Sequence, residues 1–163
     1  MKANAMLMPA VWGGLVIGVL SALPFIGFLN ICCCLWVITG GMLAAYVLQS
    51  NTPQSITIGD GATVGLLAGL IGAVVHTIIS IPVNLLMGGL MQNVLQQILA
   101  STPDVPENLR QAVENIGSSA SFSALGVIIG FFFWVVVGSL FAALGGLLGA
   151  VFFKKKAVDQ PVA

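Results

Sequence analysis

Charge is what this chain lacks. Of its 163 residues, five are Lys or Arg and five are Asp or Glu, so 6% are charged where a soluble domain carries roughly 25%. Histidine occurs once, at His76, and the three cysteines are adjacent, Cys32, Cys33 and Cys34. Each scarcity excludes something. A chain that is 58% hydrophobic with a net charge of zero is no ordinary soluble domain, and no nucleic-acid partner is expected of it. One histidine, with no carboxylate inside the apolar runs, leaves nothing to complete a metal site or a conventional proton relay. No phosphate-binding loop, dinucleotide fingerprint, H-E-x-x-H helix or nucleophile elbow is present. The chain is therefore expected to be no enzyme, with no metal and no cofactor.

Long uncharged runs take the place of charge. Residues 3–59, 61–103 and 115–153 contain no Asp, Glu, Lys or Arg, and a bilayer crossing needs about 20 apolar residues. The expected fold is all-α, a polytopic membrane protein of one domain with four transmembrane helices arranged as two hairpins. The spans fall at about 9–27, 31–48, 62–86 and 124–152. Pro9 suits a first helical turn, and Pro82 interrupts the third span near its end. Lys2 and the apolar run after it resemble a signal peptide, but no A-x-A-like cleavage site follows, so the first segment reads as a retained span. The fourth run is longer than the bilayer is thick and must tilt or emerge.

Four of the five basic residues, Lys2 and Lys154, Lys155 and Lys156, flank the terminal spans. Basic residues near spans stay on the cytoplasmic side, so both termini are expected in the cytoplasm. Residues 87–121 then lie outside, with Asp104, Glu107 and Glu114 against Arg110. A connection of that length is expected to hold structure. Leu90, Met91, Val94, Leu95 and Ile98 recur at helical spacing opposite Gln92, Asn93, Gln96 and Gln97, making an amphipathic stripe suited to docking on the membrane or on a partner. Pro106 opens a second short helix running to Ile116, so a short extracytoplasmic helical hairpin is expected between the third and fourth spans.

Glycine is abundant, 20 of 163 residues, and it is spaced. In lipid, helices associate by close backbone approach at small residues, and the four-residue spacing recurs at Gly14/Gly18, Gly65/Gly69, Gly126/Gly130 and Gly145/Gly149. These are the candidate packing residues. The strings GLVIG at 14–18 and GLLAG at 65–69, and GGMLAA at 40–45 and GGLLGA at 145–150, also match. Duplication and low complexity both account for such matches. Duplication predicts a pseudo-twofold bundle whose axis lies along the membrane normal.

His76, Ser80 and Asn84 form the candidate intramembrane polar site, next to Pro82. The plainest reading of His76 is a neutral ring hydrogen-bonded to a neighbouring hydroxyl or carbonyl; a relay or ligand role is the sharper one. Adjacent helical cysteines project about 100° apart and cannot grip one metal together, so the triplet reads as small apolar packing residues, with an intermolecular disulfide as a minor alternative. Trp12, Trp36 and Tyr46 read as interfacial anchors and Trp134 as lipid-facing bulk. Asp60 reads as the cap of the third span.

Residues 30–36 (NICCCLW), 40–46 (GGMLAAY) and 59–72 (GDGATVGLLAGLIG) resemble small bacterial four-span integral membrane proteins of unknown function. The resemblance implies a bacterial cytoplasmic (inner) membrane location and carries no activity. The functional expectation is an accessory or structural subunit of a larger membrane complex, or a homo-oligomer, with the bilayer and a membrane protein or a second copy as partners. A small channel or transporter with a path near His76 and Asn84 is the alternative.

Overall fold

The computed structural model describes residues 3–23, 26, 34–102, 106–108, 110–111 and 124–153. They form four long helices: α1 (Ala3–Ala22), α2 (Leu35–Asn51), α3 (Ile58–Ser101) and α4 (Ala124–Phe152). Three of these, α1, α3 and α4, contain stretches long and apolar enough to cross a membrane: Ala5–Ala22, Ile58–Met87 and Leu125–Phe152. As described, α2 is 17 residues long.

Two helix starts differ from the sequence expectation. α1 begins at Ala3, so Pro9 lies inside the helix and not in its first turn. α3 begins at Ile58 and is capped by Thr57, not by Asp60. The Asp60 N–H donates to Thr57 Oγ1 (3.1 Å), while Asp60 Oδ2 accepts from the Thr57 N–H (3.0 Å) and hydroxyl (2.7 Å). This reciprocal pairing satisfies two donors that a helix start otherwise leaves open.

The larger difference lies at the other end of α3. The stripe expected to form the first helix of an extracytoplasmic hairpin is not separate. α3 runs without interruption through Pro82 to Ser101, 44 residues in all, or about 66 Å at 1.5 Å per residue. Nothing between residues 86 and 90 forces a break, because Leu, Met and Leu are good helix formers and outweigh Gly88 and Gly89. Of the expected second helix, Glu107, Asn108, Arg110 and Gln111 are helical, with the Arg110 N–H donating to the Pro106 carbonyl (3.1 Å). Residues 112–123 lie outside the described set.

Small residues set the packing. A Cβ placed on Gly14 would sit 2.7 Å from Ile71 and 2.9 Å from the Ala68 carbonyl, and one on Gly18 would sit 3.0 Å from the Gly72 carbonyl. Position rises with position, so α1 and α3 run parallel. Gly13 meets Ala44 while Ile17 meets Gly40, so α1 and α2 run antiparallel. Gly61 meets Gly146 and Ala150, Gly65 meets Ala142, and Gly69 meets Gly138 and Ser139, so α3 and α4 are antiparallel as well. Around the bundle the neighbours are α1–α3, α3–α4, α4–α2 and α2–α1, and α2 also touches α3 across the short diagonal. Among the described residues α1 and α4 do not meet.

That arrangement does not follow the symmetry a duplication predicts. A twofold axis exchanging α1 with α3 and α2 with α4 would bring α1 as near to α4 as α2 is to α3. The matching strings also face different neighbours: Gly14 packs on α3 but Gly65 on α4, and Gly40 packs on α1 but Gly145 on α2. The strings recur because every tight crossing in lipid needs small residues at this spacing.

The core, including Ile17, Val37, Ala44, Leu48, Val64, Ala68 and Ala142, sits toward the end where α1 and α3 begin. Beyond Ala73 no described side chain of α3 is fully buried, and the same holds for α4 before Gly138. The bundle is closed at one end and loosens toward the other.

Candidate functional site

The polar residues expected to form an intramembrane site lie on one helix, α3, where tight packing gives way. Their hydrogen bonds are local. Thr77 Oγ1 donates to the Ala73 carbonyl (2.9 Å), Ser80 Oγ to the Thr77 carbonyl (3.1 Å) and Asn84 Nδ2 to the Ser80 carbonyl (2.7 Å). Each side chain bonds its own helix one turn back, the usual arrangement for a hydroxyl or amide with no water nearby. Pro82 adds a gap to this stretch, since it has no N–H to offer the Ile78 carbonyl.

His76 makes a different contact. Its ring lies against Trp134 of α4, with centroids 4.4 Å apart and planes tilted by 37°. Nδ1 is buried with no hydrogen-bond partner among the described residues, so the hydrogen bond expected of the ring is not made there through this nitrogen. Trp134 is half-buried and packs against the core, whereas Phe132 and Phe133 beside it are exposed. Trp134 is therefore an interhelical residue and not lipid-facing bulk. The structure brings His76 and Trp134 together and leaves Ser80 and Asn84 bonded within α3.

The candidate packing glycines fall into two groups. Gly14, Gly18, Gly65, Gly69, Gly145 and Gly149 lie at interhelical contacts. A Cβ on Gly130 would meet nothing within 4 Å; the pair Gly126/Gly130 lies on α4 before Gly138, where no described side chain of α4 is fully buried. Of the candidate docking stripe, Leu90, Val94 and Ile98 are exposed on α3; the side chains of Met91 and Leu95 lie outside the described set.

Sequence reasoning did not single out Gln49. It is buried at 3% exposure near the end of α2, and its side-chain amide holds the next loop from both sides. Nε2 donates to the Gln54 carbonyl (3.0 Å) and Oε1 accepts from the Ile56 N–H (3.0 Å). The signal was present as a lone glutamine ending an apolar run before a Pro-containing loop. Beside this loop, a cleft of about 660 Å³ is lined by Ser55, Ile56, Thr57, Ile58, Gly59, Ala150 and Val151. Its polar side chains are two hydroxyls, and that of Thr57 is engaged with Asp60. A second, apolar groove of about 390 Å³ runs beside Tyr46 and Phe153, whose rings meet edge to face at 5.1 Å.

The aromatic residues expected to be anchors differ in their surroundings. Trp12 and Tyr46 are exposed, while Trp36 Nε1 donates to the Ile26 carbonyl (2.9 Å) and ties α2 to the chain after α1. Cys34 precedes α2 in a left-handed conformation (φ 47°, ψ 36°), and its carbonyl accepts from the Val37 and Ile38 N–H groups, both at 3.0 Å. Cys32 and Cys33 lie outside the described residues. Among the described residues, no three His, Cys, Asp or Glu side chains come together as metal ligands would. The chain matches no family model, no curated protein and no solved structure.

Proposed function

We propose that this chain is a non-enzymatic integral membrane protein that acts by association, as an accessory or structural subunit of a larger membrane complex or as a homo-oligomer. The observation that carries the reading is the division of labour within α3. Gly61, Gly65, Gly69 and Gly72 bring its first half into backbone contact with α4 and α1. Its last turns present Leu90, Val94 and Ile98 to the surroundings. A helix that is half buttress and half exposed arm suits a protein whose work is to hold and present a surface. The placement of polar groups supports this reading over a channel, because Thr77, Ser80 and Asn84 spend their donors on their own helix and do not face one another across a path.

In this proposal all four helices span a bacterial inner membrane as two antiparallel hairpins. α2 is the shortest of them at 17 residues, and the basic residues at both ends hold the termini in the cytoplasm. The end of α3 then projects to the opposite side. The resemblance to small four-span bacterial membrane proteins agrees with this placement.

Native mass spectrometry after gentle detergent extraction tests the proposal. The expected result is a multimer or a stoichiometric complex with a second chain, lost when Leu90, Val94 and Ile98 are all changed to Ser while the thermal transition of the bundle stays in place. A lone monomer from unaltered protein, at every detergent concentration tried, overturns it.

A further inference from the structure

α3 is built to be stiff in its first half and soft at one place. Up to Ala73 it is held on two sides, with Gly61, Gly65 and Gly69 against α4 and Gly72 against Ile17 of α1. The His76–Trp134 stack marks the upper edge of that grip. Four helix-softening features then fall within eight residues. Thr77 and Ser80 bond back to carbonyls of the preceding turn, a pattern that bends helices. Pro82 removes one backbone hydrogen bond and crowds the turn before it. Asn84 Nδ2 donates to the Ser80 carbonyl, adding a side-chain donor to a backbone whose regular ladder is broken. Lateral support weakens over the same stretch: Asn84 and Leu85 are exposed, and a Cβ on Gly130 of α4 would meet open space.

We infer that residues 77–84 form a hinge, and that the arm beyond it, carrying Leu90, Val94 and Ile98, takes more than one angle to the bundle. The arm from residue 83 to Ser101 is about 28 Å long at 1.5 Å per residue, so a modest bend at Pro82 moves its tip a long way. Leu86 is 85% exposed and Leu85 74%, and surface so open at the root of the arm offers little resistance to rotation. Buried contacts on α3 below the hinge are untouched by the motion, so the arm moves without loosening the bundle. The inference concerns α3 alone and stands whether or not the arm docks on another chain.

Electron–electron distance measurement on the full chain in lipid nanodiscs tests it. Spin-labelled unnatural amino acids replace Val74 and Gln97, both exposed positions on α3, so the native cysteines stay unchanged. A straight helix places the two about 35 Å apart, and a bend of about 60° at Pro82 shortens this to about 30 Å. The expected result is a distribution covering both distances, which Pro82→Ala collapses onto the longer one. A single narrow distance in the unaltered chain overturns the hinge, and so does a broad distribution that Pro82→Ala leaves unchanged. Backbone hydrogen exchange gives a second readout without substitution: residues 79–86 should exchange at least tenfold faster than residues 62–73, and equal protection refutes the proposal.

Discussion

Gly65 of α3 faces the carbonyl of Ala142 in α4 with no room between them for a methyl group. Gly69, one turn on, stands in the same relation to Ser139, whose Cα would lie 2.6 Å from an added Cβ. The atoms in the way are backbone, which cannot rotate aside as a side-chain tip can. Each such glycine is therefore a point where α3 and α4 share a surface.

The first prediction follows from that contact. Gly65→Ala or Gly69→Ala should force the helices apart and cost about 1–3 kcal/mol, the range for overpacking a close-fitted interior, with Leu at either position preventing the native fold. Gly130→Ala, which adds a methyl to open space, should be neutral or stabilise by about 0.5–1 kcal/mol through helix propensity. Thermal unfolding in mild detergent separates the two cases.

His76 yields the second. If its contribution is the stack on Trp134, His76→Phe keeps a ring there and removes the unpaired Nδ1, so stability should hold or rise. His76→Ala should lose an aromatic contact of about 0.5–1.5 kcal/mol and leave a gap besides. Equal losses in the Phe and Ala variants would show that the imidazole nitrogens, not the ring face, hold α3 to α4. Guanidinium titration followed by tryptophan fluorescence provides the comparison.

A third concerns Gln49. Gln49→Leu conserves bulk but strands the Gln54 carbonyl and the Ile56 N–H, each of which it now satisfies. Leaving the buried Ile56 N–H unpaired costs about 1–3 kcal/mol, and the loss should be local. Amide exchange at Ile56 should accelerate by tenfold or more while the amides of Val64 and Ala68 keep their protection.

The fourth tests the start of α3. Thr57→Ala removes the cap and should destabilise the chain by about 0.5–2 kcal/mol. Thr57→Ser, which keeps the hydroxyl, should retain most of the stability. Asp60→Ala breaks the other half of the reciprocal pair and should fray residues 58–61 first, visible as faster exchange at the Gly61 amide, which now donates to the Thr57 carbonyl (3.1 Å).

The helical class and the long apolar helices were legible because scarcity of charge and length of run are properties of composition. Glycine spacing located Gly14, Gly18, Gly65, Gly69, Gly145 and Gly149 at contacts, yet a Cβ on Gly130 would meet nothing within 4 Å, because a repeat says that a helix can be approached and not that a neighbour is there. The continuity of α3 through Pro82 and Gly88/Gly89 was not legible. Proline and glycine weaken a helix by a few kcal/mol at most, and with good helix formers on both sides the chain bears that cost. Asp60 was placed at the right helix end but in the wrong role: a threonine three residues earlier turns a single cap into a reciprocal pair, and the T-x-x-D pattern was readable there. Trp134 looked lipid-facing because it follows three phenylalanines; only the angle of α4 on α3 shows that it turns inward to His76.

The short diagonal from α2 to α3 bears on how the chain is assembled. Gly41 of α2 and Gly61, Gly65 and Gly69 of α3 are all fitted to α4, which leaves the ribosome after both. Until it arrives, α2 and α3 hold bare backbone grooves that only α4 fits. Synthesis that stops before about residue 138, the position of the glycine opposite Gly69, therefore leaves those grooves open.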